Sequence, residues 1–209
     1  AVDSITTGDE NVGLGDNSGT GITSGSGNTS LGHASLVTTS TGNYNVAVGR
    51  SSMYSNTTAS YNTAVGYAAL NANTTGGSNV AIGKAALTAN TTGTANVGIG
   101  VGVLDANTTA SYNTALGHEA LSANTTGANN VAVGALALIA NTTATRNTAL
   151  GYRALTANTT GYNNTAIGSD VLLANTEGYQ NIAVGERTMT ANTTGDNNTA
   201  IGHMALEAN

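Results

Sequence analysis

The chain contains no cysteine, no proline, no tryptophan and no phenylalanine, and only 8% of its 209 residues are charged. Each absence removes a class. Without cysteine there is no disulfide framework. Five Lys and Arg, scattered as Arg50, Lys84, Arg146, Arg153 and Arg187, stand against eleven Asp and Glu. A net charge of −6 without a basic cluster argues against nucleic acid or an anionic membrane as partner. No apolar run approaches the ~20 residues of a membrane-spanning helix, so no membrane insertion is expected. The opening "AVDSITTG" carries no basic, apolar leader, and an alanine start suits an exported chain whose signal peptide has been cleaved.

What is present is one phrase, repeated. An Asn stands at 11, 28, 45, 62, 79, 96, 113, 130, 147, 164, 181 and 198, every interval being 17. Counting that Asn as position one, position five is Gly in every copy, from Gly15 to Gly202, and position four is always Leu, Val or Ile. Loops between independent domains tolerate insertions cheaply. A spacing that never slips therefore implies coils stacked in register. Seventeen residues is short for helical repeats, and β-branched residues punctuated by Gly and Asn favour short strands. The fold expected is an all-β parallel β-solenoid of twelve coils spanning residues 1–209. Residues 1–44 form more degenerate Gly- and Ser-rich first coils, and 45–209 the regular repeats.

Alternation along the strand predicts that positions two and four, such as Val80 with Ile82, face inward. Positions three and five, Ala or Gly in nearly every copy, would then form a flat outer wall. Ala47, Ala64, Ala81, Ala115, Ala132, Ala149, Ala166, Ala183 and Ala200 are accordingly expected to make a lateral packing face. A second wall of the core is expected from Leu70, Leu87, Leu104 and their equivalents. The "NTTG" segments read as turns, with Asn and Gly supplying positive φ. Their asparagines, Asn73, Asn90, Asn107, Asn124, Asn141, Asn158, Asn175 and Asn192, are expected to stack as ladders along the rod. Eight Asn-Thr-Thr triplets also read as glycosylation acceptors, but the fixed spacing already explains the Asn structurally.

The backbone entropy of ordering seventeen residues exceeds what burying two or three aliphatic side chains returns, so no coil is stable alone. Solenoids ordinarily carry polar terminal caps, and no such element is evident here. Uncapped ends predict head-to-tail joining through Ala1, Val2, Ile5, Val12, Leu14, Ile201, Met204, Leu206 and Asn209. A calcium site from Asp3, Asp9, Glu10 and Asp16 lacks a recognised loop pattern.

The phrases "NVAIG" (79–83), "NVAVG" (45–49 and 130–134) and "NTAIG" (164–168 and 198–202) resemble the head repeats of trimeric autotransporter adhesins, and similar phrases occur in phage tail fibres. The resemblance runs over nearly the whole chain. It implies a left-handed parallel β-roll and an extracellular, non-enzymatic fibre or adhesive head at the cell surface, as a trimer packed through the small-residue wall. The usual coil of that family is shorter than 17 residues, and no stalk, neck or anchor segment is present in these residues.

Nothing in the sequence assembles a catalytic or cofactor site. His33, His118 and His203 all occupy position six, five coils apart, about 24 Å at strand spacing. The eight tyrosines (44, 54, 61, 67, 112, 152, 162 and 179) fall at variable positions, suited to lateral contacts or to stacking on surface glycans. Ice binding is a rival reading, but the two threonines of "NTT" are neighbours and point to opposite sides, which leaves a single outward column. The function expected is a structural, self-assembling extracellular fibre for surface attachment or matrix formation, with no enzyme activity and no cofactor. Its partner is itself, as homopolymer or homotrimer, with surface glycans second. A trimeric adhesin or tail-fibre head is the alternative.

Overall fold

A computed structural model describes residues 6–208. It is a single parallel β-solenoid. Twelve three-residue strands, from β1 (Val12–Leu14) to β12 (Thr199–Ile201), form one sheet in sequence order. Every neighbouring pair is parallel and offset by 17, as in Val80 opposite Val97 and Ala81 opposite Gly98. The repeat is therefore the register.

The faces of the strand are the reverse of the sequence expectation. Position three points inward: Ala47, Ala64, Ala81, Ala115, Ala132, Ala149, Ala166 and Ala183 are fully buried, and Ala200 nearly so. Positions two and four point out, and Ile82, Leu116 and Leu150 are 37%, 45% and 45% exposed. The reason is space. The coil interior is already filled by the buried Leu or Met at position nine, from Leu36 to Met189, and by the small or β-branched residue before it. A Cβ added at Gly98 would sit 3.2 Å from Val103 Cγ1 and 3.4 Å from Leu87 Cδ1, so position three abuts both. Only a small residue fits there. Coil packing outranks hydrophobicity in deciding which strand face is buried.

The turns also differ from expectation. Apart from the position-five Gly, positive φ falls not in "NTTG" but at positions seven, nine and seventeen along the described coils, for example Ala68 (55°), Leu70 (50°) and Ser78 (60°). Left-handed backbone costs a non-glycine residue ~1–2 kcal/mol. The position-nine Leu is placed in the core by that same bend, and its burial returns ~1.5–3 kcal/mol. Hydrophobic burial thus holds a conformation that local propensity disfavours.

Candidate functional site

The interior carries two columns of asparagine. At position one, Asn28, Asn45 and their successors donate backbone N–H to the Oδ1 of the Asn one coil earlier, at 2.8–3.0 Å from Asn28 to Asn198. At position twelve, Asn73, Asn90, Asn107, Asn124, Asn141, Asn158, Asn175 and Asn192 each donate Nδ2 to the Oδ1 below, at 2.7–3.2 Å. The structure thus brings all eight turn asparagines into the ladder that stacking of the repeat suggests. Both columns also converge on one carbonyl per coil. Gly127 O accepts Nδ2 of Asn113 at 2.9 Å and Nδ2 of Asn124 at 2.9 Å. This tie closes each coil across its polar half, opposite the Ala and Leu half.

The position-one column was missed as a side-chain ladder in the sequence, where these Asn mark only the start of the repeat. Their invariance over twelve copies, unlike the interchange of Val, Thr and Ile beside them, was the available signal. Asn56, Asn73, Asn90, Asn107, Asn124, Asn141 and Asn158, each heading an Asn-Thr-Thr triplet, are fully buried and Asn192 is 3% exposed. Their amides are committed to hydrogen bonds, so the folded rod offers no glycosylation acceptor at these triplets.

The position-twelve ladder has a defined end. Asn56 Nδ2 donates to Thr39 Oγ1 at 3.3 Å, and one coil earlier the same position holds buried Ile22, which needs no partner. The position-one ladder is open at both faces of the stack. Among the described residues Asn11 N–H has no acceptor and Asn198 Oδ1 has no donor, although these two groups are bonded to each other's equivalents in every interior coil. Around them lie the exposed Val12 and Leu14 at one face and Ile201, Met204 and Leu206 at the other. Ala1, Val2, Ile5 and Asn209 of the expected head-to-tail set lie outside the described residues.

The outer surface offers little reactive chemistry. His33 lies 3.6 Å from Asp16 and His118 3.8 Å from Glu119, all on the surface, and the third, His203, is exposed as well. No group of three or more His, Cys, Asp or Glu that could hold a metal, and no enclosed pocket, occurs among the described residues. Tyrosines stack in two pairs, Tyr44 on Tyr61 (centroids 5.5 Å apart) and Tyr162 on Tyr179 (4.9 Å). Nearby Asp196 and stacked Tyr162 hold the Tyr179 hydroxyl above its ordinary range.

One carboxyl is strained electrostatically. Partial burial, and secondarily the charge of Glu119, push the Asp105 carboxyl above the ordinary aspartate value. A raised folded-state value means the charged form costs stability at neutral pH. That cost is relieved as pH falls through the folded value, and fully so below the unfolded value of ~3.9. Asp105→Asn is expected to raise the urea midpoint at pH 7 and to flatten its change between pH 7 and pH 4. A parallel pH dependence in the two proteins would assign the shift elsewhere.

We find no match to this chain among protein-family models, curated proteins or solved structures. The site assignments therefore stand on the geometry.

Proposed function

We propose that this protein is a structural, non-enzymatic fibre subunit that works outside the cell and lengthens by stacking the end coils of successive copies head to tail. One observation supports the reading: among the described residues Asn198 Oδ1 has no donor and Asn11 N–H no acceptor, and each is the chemical complement of the other. Interior coils make this bond at 2.8–3.0 Å. Because every amide in both ladders points the same way along the axis, like faces do not pair, which makes growth polar. The closed end of the second ladder at Thr39 and Ile22 means that the joint rests on the first ladder and on the free edges of β1 and β12. A long uniform rod with unreactive sides suits surface attachment or matrix building.

Negative-stain electron microscopy and sedimentation across a concentration series test this. Long filaments of uniform width are expected. Asn198→Lys, which removes the Oδ1 acceptor and would place an unpaired ammonium in the joint, is expected to remain a rod of full length and to stop elongating. Filaments that still form from the Asn198→Lys chain, or wild-type chains that stay as single rods at high concentration, refute head-to-tail growth.

A further inference from the structure

We propose that the outer face of the twelve-stranded sheet is a second self-assembly surface, on which another copy of this chain lies side by side with its axis along the first. This is distinct from axial growth: it sets the width of the fibre, not its length.

The face is made by positions two and four of each strand. Position two is Thr, Val or Ile in all twelve copies, and position four is Val, Ile or Leu. Not one charged residue interrupts either column. Thr and Val have the same shape, so their interchange along position two conserves the relief of the surface while letting its hydrogen bonding vary. That is the pattern of a packing surface. None of the described residues covers it, and side chains along it, such as Leu116, Leu150 and Ile182, are 44–45% exposed.

Three further observations select a second copy as the occupant. The first is pitch. An object that fits uninterrupted columns of knobs, one per coil, must repeat at the coil spacing, and another copy does so by construction. The second is area. Twelve strands ~4.8 Å apart and three residues of ~3.3 Å give a strip of roughly 58 by 10 Å, or about 580 Å². With its rims this approaches the ~800 Å² per partner of a stable interface. The third is the rim. Tyr44, Tyr61 and Tyr112 flank one side and Tyr67 and Tyr152 the other, each 50–64% exposed. An apolar centre bordered by tyrosine and polar residues is the make-up of protein interfaces.

The test separates width from length. With the strip unchanged and Asn198→Lys blocking axial growth, the protein is expected to sediment as two or more copies. Leu116→Glu with Leu150→Glu, both on the exposed face, is expected to weaken that association by about a hundredfold while circular dichroism and rod length stay unchanged. The matching Lys pair should behave likewise, and mixing the Glu and Lys proteins should restore side-by-side association. Thr126→Glu, exposed and outside the strands, serves as control and should leave the mass unchanged. A single-copy wild type, or a Glu variant with undiminished association, overturns the proposal. So does a single-copy wild type showing thermal hysteresis, since the strip would then bind ice. If mixing fails to restore association, the strip is not the interface.

Discussion

Gly117→Ala is expected to destabilise the rod by about 3 kcal/mol or more, whereas Gly127→Ala, ten residues on, is expected to cost under about 1 kcal/mol. Both glycines are tightly packed against the next coil. A Cβ on Gly117 would lie 2.6 Å from Gly134 O, and one on Gly127 2.3 Å from Ala144 O. Distance alone would rank them equal. The difference is backbone conformation, for Gly117 sits at φ 137° and its equivalents in all twelve coils at 124–142°, a region that side chains with a Cβ scarcely enter. Gly127 carries no such φ, and its position is occupied by Ala59, Ala110 and Ala144 in three other coils. Those coils adjust by a small opening. The Asn-to-carbonyl bond is 3.1–3.2 Å at the three alanines against 2.9–3.0 Å at Gly76, Gly93, Gly127, Gly161 and Gly178, and 3.2 Å at Gly195 near the end of the stack. Denaturant midpoints, with hydrogen exchange of the coils around residue 117, check the pair. Equal costs at the two sites would show that crowding, not φ, fixes the invariant glycine.

The second large effect is expected at Asn124. Replacing it with Leu leaves Asn107 Oδ1 without its donor, removes one of two donors to Gly127 O, and takes away one acceptor of Asn141 Nδ2. Each orphaned buried group costs ~1–3 kcal/mol, so about 4 kcal/mol in all is expected. Thr126→Ala, a neighbouring change at an exposed threonine, should be near neutral. Asn124→Asp adds a pH signature. A carboxylate can accept from Asn141 but cannot donate downward, and burial raises its pKa. The variant is therefore expected to be closest to wild type in acid and to lose stability as pH rises through that raised value. Stability that is flat with pH, or a Leu variant no worse than Thr126→Ala, would remove the amide ladder from the forces that hold the stack.

The architecture was legible in the sequence because an unvarying period leaves few ways to build the chain. A 17-residue interval with Gly and β-branched residues at fixed places gave strand location, parallel pairing and register. Which side of each strand is buried was not legible, since strands of three residues give one alternation and hydrophobicity pulled Val80 and Ile82 inward. The corrective signal lay in the confinement of position three to Gly, Ala and Ser, the only sizes a filled coil interior admits. Coil two carries Ser30 with Ser35, whose hydroxyls meet at 2.6 Å, and coil six pairs Gly98 with the larger Val103. Positions three and eight touch without changing in step, since Ala166 also stands with Val171 and Ala47 with Ser52. The left-handed Leu at position nine had no local signature at all, because tertiary burial alone selects it. The ladder asparagines at position twelve were readable from stacking. Those at position one were hidden behind their role as a marker of the repeat.

The stacked amides also determine how such a rod meets mechanical load. Tension along the axis falls on bonds between one coil and the next, with no covalent path shorter than a full turn of backbone. A released coil of seventeen residues can pay out about 58 Å of extended chain, against the ~4.8 Å it occupied in the stack. Pulled from the two ends of one chain, the rod would shed coils one after another, each released coil growing roughly tenfold in length, dissipating a tug as a brake does before any peptide bond is stressed.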